Sequence, residues 1–223
     1  MHRMRFVKIL CVVPILLLGF LFYVDKTVSL KSLRIVCLGD STTYGHRLQD
    51  PLSQSYPARL SVQARGSWEV LNCGVNGATV LQKGDIPIIS QNVYQRAIVS
   101  RQDVVVLMLG TNDSKDTNWR YANEFVADYV ALVQKLQGLS SHPHVIACSI
   151  PPIFIDYPNG LTAKRDLEIN DLLKEAMLTS GADFLDIYTP LSQEPSFFTD
   201  GVHPNTRGAQ EIATLVFNKI KSL

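Results

Sequence analysis

The sequence lacks an excess of charge of either sign. Its 223 residues carry 21 Lys and Arg against 20 Asp and Glu, a formal net charge of +1. The charges are mixed along the chain without a long basic stripe, so the composition does not favour a nucleic-acid partner. Internal repeats and low-complexity segments are also absent. A chain of this length suits one domain of ordinary size with a full hydrophobic core.

Cysteine is scarce, and its spacing fits no metal site. The four cysteines form no Cys-x-x-Cys pair and no Cys/His group with ligand spacing. Cys37, Cys73 and Cys148 each fall inside a predicted strand, so we interpret them as buried free thiols, with disulfides as the alternative. The sequence therefore predicts neither a metal nor another cofactor.

One long apolar run is present, at the N-terminus. Residues 9–24 follow three basic residues and are interrupted by one proline and one glycine. We interpret residues 1–24 as an uncleaved signal anchor, with a cleaved signal peptide as the alternative, because no Ala-x-Ala-like cleavage site follows. Basic residues before the run predict that this end stays in the cytoplasm. Residues 25–32 are then a short linker. The domain at 33–223 is expected outside the cytoplasm, membrane-anchored in the periplasm or extracellular space, or secreted if the segment is cleaved.

Strand and helix patterns alternate along residues 33–223. Five short apolar runs suit buried parallel strands: Leu33–Leu38, Val70–Cys73, Val104–Leu109, Val145–Ile150 and Phe184–Ile187. Apolar residues at three- and four-residue steps predict helices within 56–64, 125–136, 167–177 and 212–220. The pattern predicts the α/β class, as a three-layer α/β/α sandwich around a flavodoxin-like, doubly wound parallel sheet of about five strands.

Polar segments follow four of the predicted strands. They are Gly39-Asp40-Ser41-Thr42, the segment 72–79, Gly110-Thr111-Asn112-Asp113, and Asp200-Gly201-Val202-His203-Pro204. Because the carboxyl ends of parallel strands share one edge, where ligands bind in open sheets, we expect these segments to converge.

The residue types in these segments suit nucleophilic acyl transfer. Serine needs a base to become a good nucleophile, and His203 could take the proton of Ser41. Asp200, three residues before His203, can turn back and fix the imidazole tautomer. The backbone N–H groups of Ser41 and Gly77 and the side-chain amide of Asn112 could stabilise an oxyanion. The alternatives are that Ser41 caps a helix and that His203 only begins one.

Together the four segments resemble the motif blocks of the SGNH hydrolases, also called the GDSL esterase/lipase family, over essentially all of 33–223. The resemblance implies that Ser41 is the nucleophile and that Asp200 and His203 complete its triad. It also implies an oxyanion hole formed by Ser41, Gly77 and Asn112. Thr42 departs from the Leu or Ile of many members, at a position without a catalytic role.

Four further residues near these segments are interpreted separately. Asp40 and Asp113 are predicted to stabilise the loop backbone rather than to transfer protons. His46 is close enough to Ser41 in the sequence to line a pocket, and Trp119 could either cover the substrate or pack in the core.

The predicted function is that of a serine ester hydrolase acting on an acyl ester. Several relatives in the family remove acetyl groups from carbohydrates, and others cleave thioesters or lysophospholipids. No long apolar insertion suggests a lipase lid, which favours a short acyl chain, whereas membrane attachment favours a lipid. An O-acyltransferase with the same triad and a non-catalytic binding domain with the same fold are the alternatives.

Overall fold

The structure is a computed structural model that describes residues 32–223. The predicted anchor at 1–24, and the linker except its last residue, lie outside the described residues. Within residues 32–223, no helix combines the length and the apolar character that crossing a bilayer requires.

Strands and helices alternate along the described chain. Five strands are present: β1 Leu33–Gly39, β2 Trp68–Gly74, β3 Val104–Met108, β4 His144–Cys148 and β5 Asp183–Leu185. The longer helices are α3 Tyr56–Gln63, α4 Asn92–Val99, α6 Phe125–Gln137, α7 Ala163–Ser180 and α9 Thr206–Lys221. Short helices are α1 Ser41–Tyr44, α2 Pro51–Gln54, α5 Asp116–Trp119 and α8 Tyr188–Leu191, with 3₁₀ turns at Ile88–Ser90, Thr111–Ser114, Ala122–Glu124 and Pro195–Phe197.

The strands form one parallel sheet in the order β2-β1-β3-β4-β5. This is the flavodoxin-like order of doubly wound folds. Gly39 at the end of β1 lies opposite Gly74 of β2 and Met108 of β3. The first three strands therefore end level with one another, and the predicted α/β fold class is confirmed.

Each face of the sheet carries its own apolar core. In β1, Val36 and Leu38 join the core that contains α4, α6 and α7, whereas Ile35 and Cys37 join the core that contains α3 and α9. Alternate side chains of a strand point to opposite faces, so the continuous apolar run of β1 is buried on both sides. The result is the three-layer sandwich that the sequence predicts.

The cysteines of the described domain are free and buried, as predicted. They are Cys37 in β1, Cys73 in β2 and Cys148 in β4. Burial raises the pKa of all three thiols above the ordinary value. The protonated, unreactive form is thereby favoured.

Candidate active site

The first polar segment turns directly from β1 into the short helix α1. Asp40 is the N-cap of this helix, and its Oδ1 accepts a hydrogen bond of 2.9 Å from the backbone N–H of Thr42. Ser41 is the first helical residue. The alternative that Ser41 serves only as the cap is therefore wrong, since Asp40 holds that position.

Two glycines let this turn pack closely on the neighbouring strand ends. A Cβ on Gly74 would overlap the backbone of Thr43 and Tyr44 in α1, and a Cβ on Gly39 would overlap the Thr43 side chain. The N–H of Val75 also donates to the carbonyl of Gly39 at 3.0 Å. The segments after β1 and β2 are thus held together by direct backbone contact.

Ser41, His203 and Asp200 form a continuous line of hydrogen bonds. Ser41 Oγ lies 3.1 Å from His203 Nε2, and His203 Nδ1 lies 2.8 Å from Asp200 Oδ2. We assign the proton to Nδ1, because a carboxylate accepts there, which leaves the Nε2 lone pair for the serine hydroxyl. In this arrangement the imidazole is able to take the proton of Ser41.

The Asp200 carboxylate is fixed on both oxygens. Its Oδ1 accepts hydrogen bonds from the backbone N–H groups of Val202 at 3.1 Å and His203 at 2.8 Å. Burial raises the pKa of Asp200, but the hydrogen bonds from the backbone and ring of His203 outweigh it and lower the pKa to about 2. Asp200 is therefore ionised at neutral pH. Its backbone carbonyl also accepts from the hydroxyl of Tyr157 at 2.7 Å.

His46 and Arg47 lie against the same pair. The ring centroids of His46 and His203 are 4.6 Å apart at 65°, an edge-on contact. Arg47 Nε lies 3.4 Å from Asp200 Oδ2, the oxygen that also accepts from His203. Burial lowers the pKa of His46, and so do Arg47 and the protonated form of His203, while the Asp200 carboxylate opposes this. His46 is therefore neutral at neutral pH.

The predicted oxyanion donors lie on the segments after β1, β2 and β3. Gly77 has a φ of +82°, which a glycine adopts without strain. Within residues 32–223, no acceptor is recorded for the backbone N–H of Ser41 or Gly77. One amide hydrogen of Asn112 is donated to the carbonyl of Ala78 at 3.2 Å. An amide carries two such hydrogens, so one remains for an oxyanion.

Asp113 connects the third segment to the two residues that follow the second segment. Its carboxylate accepts hydrogen bonds from the backbone N–H of Val80 at 3.0 Å and of Leu81 at 2.8 Å. Burial raises its pKa to about 7, and burial likewise raises that of Asp40 to about 6. Both carboxyls bind loop backbone, the structural role predicted for them.

Asn118, Arg47 and Tyr157 contact residues of the site but carry no signal in the sequence. Asn118 Nδ2 donates to the backbone carbonyl of Asn112 at 2.9 Å and so supports the third segment.

Trp119, beside Asn118 in α5, packs against the core of α6 and α7. The structure thus favours the core role of Trp119 over the role of a substrate cover.

Comparison with known proteins identifies one matching family and solved structures that share the fold of this chain. The family described as GDSL-like lipase/acylhydrolase matches residues 37–211. An acetylxylan esterase of Xylanibacter ruminicola is 30% identical over 209 residues, which cover 85% of this chain. The chain spans only 43% of the length of that curated relative.

Two solved structures show the same fold at low sequence identity. The native aryl esterase of M. smegmatis superimposes with a TM-score of 0.69 at 21% identity, over 86% of this chain and 99% of that one. A carbohydrate acetylesterase family member from Sinorhizobium meliloti gives 0.69 at 18% identity, over 85% and 98% of the two chains.

Proposed function

The chain belongs to the GDSL-like lipase/acylhydrolase family, a class of carboxylic ester hydrolases, and we propose that it is a serine esterase. In this proposal the enzyme removes short acyl groups such as O-acetyl from a carbohydrate. One observation carries the proposal. Ser41 Oγ lies 3.1 Å from His203 Nε2, while Asp200 binds the other ring nitrogen at 2.8 Å. This is the relation of nucleophile, base and orienting acid that acyl transfer needs.

The first half of the reaction is acylation of the serine. His203 Nε2 takes the hydroxyl proton of Ser41 as Oγ attacks the ester carbonyl carbon, and Asp200 stabilises the resulting imidazolium. The negative charge on the carbonyl oxygen is met by the N–H groups of Ser41 and Gly77 and the amide of Asn112. Collapse of the intermediate breaks the bond to the alcohol, which leaves with the proton from Nε2.

The second half releases the acid. His203 removes a proton from water, and the hydroxide formed attacks the carbonyl carbon of the acyl-enzyme. The tetrahedral intermediate collapses with return of the proton to Ser41 Oγ. When a sugar hydroxyl replaces water, the same steps give an O-acyltransferase, which makes acyl transfer the second candidate. Hydrolysis measured with and without an added sugar acceptor separates the two, because only a transferase forms an acylated sugar.

The choice of acyl group and alcohol rests on the curated relative. That protein is named an acetylxylan esterase, which supports an acetylated carbohydrate over the lysophospholipid or thioester alternatives. A series of p-nitrophenyl esters tests this choice, with kcat/KM expected to be highest for acetate. A maximum at a long acyl chain would favour a lipid substrate instead.

Replacement of the nucleophile tests the catalytic assignment. Ser41→Ala should abolish hydrolysis of p-nitrophenyl acetate and labelling by a fluorophosphonate, while the fold and the melting temperature are retained. Ser53→Ala, at a serine hydrogen-bonded to Asp50 at the start of α2, is the matched control and should keep both properties. A Ser41→Ala variant that hydrolyses the ester at the wild-type rate would exclude Ser41 as the nucleophile and leave a binding domain as the better interpretation.

A further inference from the structure

The general acid of the reaction defines one side of the scissile bond. Because His203 protonates the leaving alcohol through Nε2, the alcohol part of the substrate must lie beside the imidazole. The loop of His203 precedes α9, and the segment 45–50 precedes α2 and α3. Helices α3 and α9 cover the same face of the sheet. The His203 loop and segment 45–50 therefore approach Ser41 from the same side of the sheet. Segment 45–50 therefore borders the alcohol side.

The positively charged side chain of Arg47 lies at this border. Arg47 Nε is 3.4 Å from Asp200 Oδ2, and 58% of the Arg47 side chain is exposed. The guanidinium carries five N–H donors. Within residues 32–223, no hydrogen bond from its two terminal nitrogens is recorded, and Nε is the atom in contact with Asp200. The terminal nitrogens are thus able to bind a group from solvent.

The contact between Arg47 and Asp200 is unfavourable during catalysis. Asp200 Oδ2 also accepts from His203 Nδ1 at 2.8 Å. When His203 becomes imidazolium, two cations, His203 and Arg47, contact this oxygen. Each cation weakens the electrostatic attraction between the Asp200 carboxylate and the other cation. A negative group supplied by the substrate would pair with Arg47 and leave Asp200 to His203. The contact therefore favours a substrate that carries an anion.

The backbone of Arg47 is held in an uncommon conformation. Its φ is +67°, whereas Gly45, two residues earlier, has a φ of +91° and ends α1. The N–H of His46 donates to the carbonyl of Ser41 at 2.9 Å. The segment is thereby fixed to the nucleophile helix, so the backbone of Arg47 is held at a defined place relative to Ser41.

We propose that Arg47 forms a subsite for a carboxylate on the alcohol part of the ester, which makes an acidic carbohydrate the preferred class of substrate. The inference rests on the proposed esterase function. A planar guanidinium binds a carboxylate through two parallel hydrogen bonds. The subsite selects among alcohols and places no demand on the acyl group.

A matched pair of acetate esters tests the subsite. The probes are 4-acetoxybenzoate and its methyl ester, which differ by one negative charge at the far end of the alcohol. The quantity measured is the ratio of kcat/KM for the anionic ester to that for the neutral ester. Comparing this ratio between wild type and variant cancels the different intrinsic reactivity of the two esters. Arg47→Gln should lower the ratio by about tenfold, the effect of a charge-assisted hydrogen bond at a partly exposed site.

Two controls accompany the variant. Arg47→Lys keeps the charge but lacks the planar pair of donors, so its ratio should lie between those of the wild type and Arg47→Gln. Arg101→Gln removes the same charge from an exposed arginine that also has a positive φ, of +51°, and that precedes β3 at the opposite edge. Its ratio should equal that of the wild type. In the wild type, added salt should lower the ratio, since ions screen the pair.

The outcomes separate the two proposals. An Arg47→Gln ratio equal to the wild-type ratio overturns the subsite while the esterase function stands. An equal loss of kcat/KM for both esters also overturns it, because Arg47 would then act through Asp200 alone. A wild-type protein that hydrolyses neither probe and resists fluorophosphonate labelling overturns the esterase function itself.

Discussion

The hydroxyl of Ser41 lies 3.1 Å from Nε2 of His203, although 162 residues separate them in the sequence. The parallel topology explains the approach. Ser41 follows β1, an inner strand of the sheet. His203 lies in the loop before α9, which packs on the sheet face that α3 also covers. A serine and a histidine at these two places meet because strand ends and helix starts lie at the same edge of the sheet.

Asn112 is expected to act in the transition state. Asn112→Ala should lower kcat by about two to three orders of magnitude, the usual loss for one oxyanion donor. KM should change much less, because the negative charge on the substrate oxygen develops mainly in the transition state. Steady-state kinetics and a thermal melt are the measurements. Asn92→Ala, at the exposed first residue of α4, is the control. A normal kcat with a raised KM would place Asn112 in ground-state binding instead.

Asp166 should make the domain less stable as the pH rises. Burial raises its pKa to about 8, against a hydrogen bond from the N–H of Ile153 that lowers it. Between about pH 4 and pH 8 the folded protein keeps a proton that the unfolded chain has lost. This group therefore stabilises the fold most at low pH, and its contribution is lost progressively as the pH rises through that interval.

Asp166→Asn isolates the effect, since the amide oxygen can still accept from Ile153 and cannot ionise. Relative to wild type, the free energy of unfolding of the variant should rise by roughly 1 kcal/mol per pH unit between pH 4 and pH 8. Urea unfolding at several pH values measures it. Asp171→Asn, an exposed acid on the same helix α7, is the matched control. Parallel curves for wild type and Asp166→Asn would show that the carboxyl ionises freely in the fold.

Activity should not require a metal ion. Within residues 32–223, no three His, Cys, Asp or Glu side chains are grouped so that they could hold one. His203 is hydrogen-bonded both to Asp200 and to Ser41. Dialysis against a chelator should leave ester hydrolysis at its initial rate. Loss of the rate and its recovery with zinc would contradict the expectation.

The N-terminal anchor stays a prediction and can be tested by fractionation. The full-length chain should pellet with membranes and resist carbonate extraction, because residues 1–24 are predicted to remain in the bilayer. Protease added to the extracytoplasmic side should digest the domain. A chain that begins near Leu30 should be soluble and active, since all four motif segments follow it. Full-length protein found soluble with an intact N-terminus would exclude the anchor and leave the esterase proposal unaffected.

The sequence predicts the fold where patterning is strong. The run from Leu33 to Leu38 is apolar throughout, and β1 is buried on both faces. The apolar stripe predicts a helix within 167–177, and α7 includes these residues and ends at Ser180, with Gly181 at a φ of +70° as its C-cap. The predicted helices do not include α4. Its apolar residues Val93, Tyr94, Ala97 and Ile98 do pack on the core, but eight residues make only about two turns, which is short for recognising a period.

The residues of the site are predicted only in part. The motifs carry Ser41, Asp200 and His203 at recognisable places in the sequence, and the structure brings these three together. Arg47 and Tyr157 contact Asp200 only through the tertiary fold, and no spacing in the chain relates them to it. Such contacts depend on how loops from different strands meet, which local pattern does not determine.

The three buried thiols of the sheet can serve as probes of its local opening. Modification by a thiol reagent requires the thiolate as the attacking nucleophile, and burial disfavours the thiolate at each of these cysteines. The surrounding strand must therefore separate from the helices that cover it before a cysteine reacts. In the sheet that residues 32–223 form, Cys73 lies in the edge strand β2, with one neighbouring strand, whereas Cys37 and Cys148 lie in β1 and β4, each with a strand on both sides. Fraying of the sheet edge should therefore expose Cys73 first. The other two thiols should react only when the sheet comes apart, so the order of labelling separates edge fraying from global unfolding.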